Sequence, residues 1–192
     1  MRIVLTRHAT TDWNVASRIQ GLTDIPLNAT GRTEATAIAP AVAAHRVTRI
    51  VSSDLARARE TGAIIAAAIG VPHAIHPGLR ECGFGSLEGL TPAQVAERYP
   101  TVTTFRQALD SPRSELRAYD FRSWGGEDAA AVLSRHLALF DALRRDHATG
   151  TICCVGHGRG LGTVLACHWN SPPIPRGVVL ALEYPHRSPP ST

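Results

Sequence analysis

The chain begins Met1-Arg2-Ile3-Val4-Leu5-Thr6-Arg7-His8, where a short apolar, partly β-branched run is followed at once by an arginine and a histidine. The apolar part predicts a buried strand, and the polar residues after it predict a loop at the carboxyl end of that strand. A similar arrangement returns late in the chain, where residues 151–155 predict a strand and Gly156-His157-Gly158 follows it. Two histidines are therefore expected at the ends of two buried strands.

Strand and helix signals alternate along the rest of the chain. Further strands are predicted over residues 50–51, 74–77 and 178–182, and helices over 32–44, 55–69, 92–98, 103–110, 127–146 and 159–169. Asp54 is expected to cap the helix that follows it, and Pro40 to bend or interrupt its own helix. This alternation predicts an α/β fold, a three-layer sandwich with a mainly parallel central sheet flanked by helices. Residues 1–192 are expected to form a single domain, with an insertion or cap over about 82–125.

Composition narrows the class of partner. With 192 residues, 44% of them apolar, the chain is expected to form one globular unit. Its formal charge of +4 comes mostly from single arginines, so a small anionic metabolite is expected as partner and nucleic acid is not. No signal-like segment and no apolar run of about 18 residues occur, so a cytoplasmic location without a membrane partner is expected. The cysteines form no CxxC pair and are interpreted as reduced thiols; they are Cys82, Cys153, Cys154 and Cys167.

Charged and nucleophilic side chains follow three of the predicted strands. Ligands of open α/β sheets bind beyond the carboxyl ends of the strands, so these side chains are expected to share one site. They are Arg7, His8, Arg57 and His157. Arginine presents a planar fork of donors that matches phosphate oxygens, and backbone N–H groups at the helix start near Gly158 would add affinity for an anion. This concentration of positive charge favours a phosphoryl group as the ligand.

The same residues suggest a covalent mechanism. A neutral ring nitrogen of His8 could attack phosphorus, with its tautomer held by a backbone carbonyl in the loop after Gly21. Glu81 follows the third predicted strand and is the best-placed general acid for the leaving oxygen, and it could later take a proton from water. His157 is expected to donate to the transferring phosphoryl group. Glu88 competes for the acid role, but a salt bridge or a cap could equally use it, and Glu81 is favoured.

Six segments, in order along the chain, resemble the motifs of a known family. They are Leu5-Thr6-Arg7-His8-Ala9-Thr10-Thr11-Asp12-Trp13-Asn14, Gln20-Gly21-Leu22-Thr23-Asp24-Ile25-Pro26-Leu27-Asn28, Ser52-Ser53-Asp54-Leu55-Ala56-Arg57-Ala58-Arg59-Glu60-Thr61, Leu79-Arg80-Glu81 with Phe84-Gly85-Ser86-Leu87-Glu88-Gly89, Gly125-Gly126-Glu127, and Gly156-His157-Gly158. On these segments the chain resembles the histidine phosphatase superfamily, in the branch with the cofactor-dependent phosphoglycerate mutases. A phosphoglycerate mutase-like fold is the expectation that follows.

The resemblance also implies a role for each candidate residue. His8 is implied as the phosphorylated residue and Glu81 as the proton donor. The phosphoryl group is implied to contact Arg7, Arg57 and His157, and the substrate to contact Asn14, Gln20 and Gly21. No metal and no cofactor are implied.

Three functions are open for such a site. A small phosphatase is favoured over a cofactor-dependent phosphoglycerate mutase, because the family's mutases usually carry a longer insertion with a Tyr after the acid and an Arg pair. Here Phe84 stands near the Tyr position, and the arginines of the insertion are single, at Arg113, Arg117 and Arg122. The third alternative is a catalytically silent phospho-ligand-binding module. Specificity is expected from residues 90–124; Arg159 could contact an anionic substrate or point to solvent, and a homodimer is left open.

Overall fold

The structure is a computed structural model that describes residues 1–100, 115–147 and 149–184. Within these residues, five strands form one sheet; they are Arg2–Arg7 (β1), Arg49–Ser52 (β2), His73–Ile75 (β3), Thr151–Gly156 (β4) and Val179–Glu183 (β5). The strand order is β3-β2-β4-β1-β5. All neighbouring pairs are parallel except β1 with β5, which is antiparallel. The prediction of a mainly parallel sheet is confirmed.

Helices connect the strands and cover both faces of the sheet. The α-helices in the described part of the chain are Asp12–Val15 (α1), Ala29–Ala43 (α2), Ala56–Ile69 (α3), Pro92–Arg98 (α4), Ala129–Asp146 (α5) and Gly158–Val164 (α6). Short 3-10 turns lie at Pro77–Leu79, Gly85–Leu87, Glu115–Arg117 and Arg122–Trp124, and a π-helical turn, Leu165–Trp169, follows α6. The helix predicted over 103–110 lies outside the described residues. No helix within them is long and apolar enough to span a bilayer.

The residues of β1 show how the sheet is sandwiched. Ile3 and Leu5 pack in one buried cluster with residues of α5 and α6. Val4, between them, packs in a second cluster with residues of α2 and α3. Because successive side chains of a strand point to opposite faces, the two clusters lie on opposite sides of the sheet. The three-layer sandwich is therefore confirmed.

Two local expectations were wrong. Pro40 was expected to bend or interrupt its helix, and the interruption is wrong, because α2 continues to Ala43. Its residues Ile38 and Val42, on either side of the proline, are buried in the core, and this packing holds the helix together despite the missing N–H. The third strand ends at Ile75 rather than at residue 77, because a 3-10 turn begins with the proline there.

Asp54 does not cap α3, contrary to the expectation. Its carboxylate instead accepts two hydrogen bonds from Nε of Arg80, at 2.9 and 3.0 Å, and one from Nη2. The first N–H of the helix, at Ala56, donates to Oδ1 of Asp24. A cap from a distant loop therefore replaces the local one, and it fixes residues 20–28 against the start of α3.

A third buried cluster lies in the predicted cap region. Its aromatic members pack closely, with the ring centroids of Phe84 and Phe121 4.9 Å apart and those of Tyr119 and Phe121 5.4 Å apart. A short antiparallel bridge joins Asp120 to Asp128 at the start of α5. This part of the cap therefore has its own small core, and it adjoins the residues that follow β3.

Candidate active site

His8 and His157 meet at the carboxyl ends of β1 and β4. The strands are neighbours in the sheet, and the N–H of His8 extends the ladder by donating to the Gly156 oxygen over 2.9 Å. The two imidazole centroids are 5.1 Å apart, and both side chains are buried. The parallel pairing of two strands thus brings together residues that are far apart in the sequence.

The tautomer of His8 is fixed by its own chain. Nδ1 lies 2.7 Å from the carbonyl oxygen of Ala9, and since a carbonyl can only accept, Nδ1 carries the hydrogen and Nε2 carries the lone pair. Burial, and then the positive charge of Arg57, hold the pKa of His8 well below its ordinary value of 6.5. The ring is therefore neutral at physiological pH. The expectation that a carbonyl after Gly21 holds the tautomer was wrong, because the nearest acceptor is that of the next residue.

The carbonyls of that loop bind Arg57 instead. Nη2 donates to the Gly21 oxygen over 2.7 Å and Nη1 donates to the Thr23 oxygen over 2.9 Å. The side chain of Arg57 is fully buried, so these bonds set the position of its guanidinium. One loop thereby fixes a positive charge close to His8.

Glu88 ties this loop to the cap. Its Oε2 accepts from the N–H and the hydroxyl of Thr23, at 2.9 and 2.6 Å, and its Oε1 accepts from the N–H groups of Leu22 and Phe84, both at 3.0 Å. Gly21 has φ of +56°, and a Cβ there would overlap the Glu88 carboxylate. This carboxylate is fully engaged in holding two loops together.

Asn14 and Gln20 line the same cavity as His8. Oδ1 of Asn14 accepts from the N–H of Thr11 over 3.1 Å, as part of the capping box of α1. Oε1 of Gln20 lies 3.1 Å from the Thr11 hydroxyl. Both amides are thus positioned by one threonine at the start of α1.

Gly158 gives space to Arg7. A Cβ at Gly158 would lie 2.7 Å from Nη2 and 2.9 Å from Cζ of Arg7. The guanidinium therefore rests against the first residue of α6, and its Nη1 is 3.4 Å from the Ile174 oxygen. The contribution of Gly158 to this site is the absence of a side chain.

Glu81 lies at the start of α6. Its Oε1 accepts from the N–H groups of Cys82 and Gly160, at 2.9 and 2.7 Å, and its Oε2 accepts from the N–H of Arg159 at 3.2 Å. The helix-start N–H groups that were expected to bind an external anion are therefore directed at this carboxylate. The physical reason is that the oxygens of an internal side chain already accept hydrogen bonds at the positive end of the helix.

Two further residues position the Glu81 segment, and the sequence reasoning missed them. Arg135 of α5 donates from Nη1 to the Arg80 oxygen over 2.6 Å and from Nη2 to the Glu81 oxygen over 2.8 Å. Glu127 pairs with Arg135 at 3.2 Å and accepts from the N–H of Gly83 over 2.8 Å. The only signal in the sequence is Glu127 within the fifth segment quoted above, which gives no hint of its partner.

The neighbouring thiol is not a nucleophile. Cys82 is buried, and desolvation, followed by the charge of Glu81, raises its pKa to about 12. Among the described residues, no group of three or more His, Cys, Asp and Glu side chains could hold a metal ion. The histidine and arginine side chains are therefore the chemically distinctive groups of the site.

All nine predicted site residues except His157 line one cavity of about 360 Å³. His157 is buried beside His8, with its ring tilted by 53° to that of His8. The charged residues of this wall are four arginines and one carboxylate; they are Arg7, Arg18, Arg57, Arg159 and Glu81. A larger cavity of about 550 Å³ lies against α5 and contains none of the nine. The smaller cavity can therefore bind an anion beside a neutral imidazole and a carboxyl group.

Comparison with known proteins finds relatives named as phosphatases and as mutases. The chain is 32% identical over 173 residues to a "Probable phosphoglycerate mutase GpmB" of Yersinia enterocolitica, covering 90% of this chain and 77% of the relative. It is 34% identical over 158 residues to the metal-independent phosphoserine phosphatase of Arabidopsis thaliana, covering 81% of this chain and 63% of that relative. The structure of a mycobacterial glucosyl-3-phosphoglycerate phosphatase in complex with VO3 superposes with a TM-score of 0.82 and 29% identity, covering 95% of this chain and 92% of the other.

A family model also matches most of the chain. The model of the histidine phosphatase superfamily, branch 1, aligns with residues 3–183. This range contains all five strands, except Arg2 of β1, and every site residue described above. The chain belongs to the histidine phosphatase superfamily, branch 1.

Proposed function

We propose that this chain is a phosphatase, which hydrolyses a phosphate monoester of a small metabolite through a phosphohistidine on His8. One observation carries the proposal. His8 is a neutral imidazole whose Nδ1 is held by the Ala9 carbonyl, so Nε2 has its lone pair available in a cavity lined by arginines. Attack on phosphorus requires this protonation state, and the positive charge around it would bind the phosphoryl oxygens.

In the first step, Nε2 of His8 forms a bond to phosphorus as the bond from phosphorus to the ester oxygen breaks. Arg7 and Arg57 stabilise the charge on the equatorial phosphoryl oxygens, and His157 contacts them. Glu81 gives its proton to the leaving oxygen.

In the second step, water attacks the phosphohistidine. Glu81, now a carboxylate, takes a proton from the attacking water as the P–N bond breaks and the electron pair returns to Nε2. Inorganic phosphate leaves, His8 is again neutral, and Glu81 is again protonated. The three N–H donors to Glu81 hold its carboxylate form between the two steps.

A phosphoglycerate mutase is the second candidate. The name of the Yersinia relative, a probable phosphoglycerate mutase, supports it. The contacts of two arginines support hydrolysis instead. Arg117 donates to the Ala166 oxygen and to Oδ1 of Asn170, both at 2.7 Å, and Arg122 pairs with Asp120 at 2.6 Å. These two arginines of the cap are thus engaged within the protein rather than directed at a substrate carboxylate.

The nucleophile is tested by trapping. The protein is mixed with p-nitrophenyl phosphate in a metal chelator, quenched in base and analysed for a phosphorylated peptide containing His8. We expect phosphohistidine in the wild type and a loss of activity of about 10³-fold or more in His8→Ala. His45→Ala, a half-buried histidine outside the site, serves as the matched control and should keep full activity. Full activity in His8→Ala would sink the proposal.

The proton donor is tested by varying the leaving group. Because p-nitrophenolate leaves without a proton, Glu81→Gln should lower kcat/KM far more for an alkyl phosphate than for p-nitrophenyl phosphate. An equal loss on both substrates would contradict the role of Glu81 as acid. Conversion of 3-phosphoglycerate to 2-phosphoglycerate with little phosphate release would establish the mutase, and binding of phosphate esters without any turnover would establish a silent module.

A further inference from the structure

Arg159 holds a fixed positive charge beside the candidate proton donor. It follows Gly158 in α6, and its backbone N–H donates to Oε2 of Glu81 over 3.2 Å. Its side chain lines the same cavity as His8. The charge therefore belongs to the wall of the candidate active site, and the backbone that carries it contacts the carboxyl group that would protonate the leaving oxygen.

Aromatic rings of the cap determine where the guanidinium lies. Its central carbon is 4.8 Å from the ring centroid of Tyr119 and 5.6 Å from those of Phe84 and Phe121. Cations are attracted to the faces of such rings, and a buried platform of this kind limits the positions open to a flexible side chain.

The platform is itself anchored to α6. The hydroxyl of Tyr119 lies 2.9 Å from Oγ1 of Thr163. The Thr163 hydroxyl donates to the backbone oxygen of Arg159 over 2.8 Å. The ring under the guanidinium and the backbone that carries it are thus connected through one threonine. Such a connection preorganises the charge rather than leaving it to be ordered by a ligand.

The described wall of the cavity carries four arginines. Among its described lining residues, Arg7 and Arg57 lie with His8, where the phosphoryl group would bind. Arg18 lies at the rim, where it donates to the Gly89 oxygen over 2.6 Å. Arg159 adds a further positive charge at the Glu81 end. On the proposed mechanism this is the side of the leaving alcohol, so the extra charge faces the organic part of the substrate.

We infer that Arg159 is a specificity-determining residue that binds a second anionic group, a carboxylate or a second phosphate, on the alcohol part of the substrate. The inference rests on the proposed function, because that function places the leaving group at Glu81. An arginine stacked on aromatic faces can present its N–H groups in plane to such an anion. Phosphate esters of neutral alcohols gain no affinity from Arg159.

Binding of unreactive phosphonates tests the inference without chemistry. The probes are 2-amino-4-phosphonobutyrate and 3-aminopropylphosphonate, which differ only by a carboxylate, and propane-1,3-diyl bisphosphonate with propylphosphonate, which differ by a second phosphonate. Calorimetry on the wild type should show a preference of about 10- to 100-fold for the doubly anionic member of one pair. The pair with the larger preference identifies the anion as carboxylate or phosphate.

The variants are Arg159→Met, which keeps a long apolar stem over the rings, and Arg159→Lys, which keeps the charge. Arg159→Met should remove the preference while changing the affinity for the singly anionic probe less than about threefold, and Arg159→Lys should retain part of it. The preference should reappear in kcat/KM for O-phosphoserine over phosphoethanolamine. An absent preference, or an equal loss on both members of each pair, overturns the inference. Turnover of p-nitrophenyl phosphate that depends on His8 reports separately on the phosphatase proposal.

Discussion

Arg135 donates a hydrogen bond from Nη2 to the backbone oxygen of Glu81 over 2.8 Å, although 54 residues separate them in the chain. The same guanidinium binds the Arg80 oxygen at 2.6 Å and the Glu127 carboxylate at 3.2 Å. Glu127 in turn accepts from the N–H of Gly83. The segment that carries the proposed proton donor is therefore held on both sides of Glu81 by the ion pair between Arg135 of α5 and Glu127, which precedes that helix.

Arg135→Ala should lower kcat by about 10- to 100-fold with a smaller change in KM, because a displaced carboxyl group cannot reach the leaving oxygen. The loss should be greater for alkyl phosphates than for p-nitrophenyl phosphate, which distinguishes misplacement of the acid from general damage. Arg135→Lys should restore part of the activity. Steady-state kinetics on both substrates provide the measurement.

Arg80→Ala is the matched control. Arg80 lies on the same segment as Glu81, and its replacement breaks the ion pair with Asp54. The contacts of Arg135 stay in place. Its kcat should stay within about threefold of the wild type, as for other partly exposed pairs. Equal losses in Arg80→Ala and Arg135→Ala would show that Arg135 has no special part in positioning Glu81.

Glu88→Gln should destabilise the protein by about 1–3 kcal/mol, because an amide cannot accept from the donors that the two carboxylate oxygens now satisfy. Those donors belong to Leu22, Thr23 and Phe84, so the variant also loosens the loop that holds Arg57. We expect vanadate, a trigonal-bipyramidal mimic of the transferring phosphoryl group, to inhibit the wild type competitively and to bind this variant more weakly. Urea unfolding and inhibition constants measure the two effects. Glu97→Gln, on the exposed face of α4, should change the free energy of unfolding by less than about 0.5 kcal/mol. If the two variants were equally stable, Glu88 would not hold the loops.

The strand-end histidines and the carbonyl that orients one of them differ in how far the sequence could predict them. His8 and His157 could be placed together because parallel strands end at the same edge of a sheet, whatever the loops do. The acceptor for Nδ1 of His8 could not be identified, because the choice between Ala9 and the loop after Gly21 depends on the dihedral angles of both loops. The order of the motifs therefore predicts which residues lie together in the site, but not which of their atoms form hydrogen bonds.

The long-range contacts were beyond reach for a related reason. A local rule favoured Asp54 as the cap of α3, yet Arg80 competes for that carboxylate and Asp24 takes the capping position. Arg135 acts through backbone carbonyls, which any residue type supplies, so its partners leave no pattern in the sequence. Such contacts are decided by tertiary packing.

His8 should remain neutral as the pH falls from about 7 to about 5, because burial and Arg57 hold its pKa well below 6.5. In NMR spectra, the Cε1–H resonance that disappears in His8→Asn should not shift through this range. The unfolded protein in urea provides the reference, since its histidines titrate at about 6.5. A midpoint near that reference in the folded protein would contradict the neutral nucleophile.

The buried His136 should make the fold sensitive to acid. Burial, and then the charge of Arg135, lower its pKa to about 3, while Nδ1 contacts the Val132 oxygen at 2.8 Å. In the unfolded chain the pKa of this histidine is about 6.5, so below that pH the unfolded chain binds a proton that the native state does not bind. The stability contributed by the neutral ring is therefore complete above that pH and is lost as the pH falls toward the folded value.

The difference in unfolding free energy between the wild type and His136→Gln should accordingly shrink by up to about 1.4 kcal/mol per pH unit below about pH 6. The glutamine variant is expected to be the less stable protein near neutrality, since the contact with Val132 is disturbed, and the less acid-sensitive one. Urea unfolding at four pH values measures both slopes. Ser134→Ala, an exposed change on the same helix that adds no titrating group, should run parallel to the wild type. If the curve of His136→Gln also ran parallel to that of the wild type, His136 would carry a proton in the folded state. The interpretation of His136 as a neutral, desolvated ring next to the Glu81 segment would then be wrong.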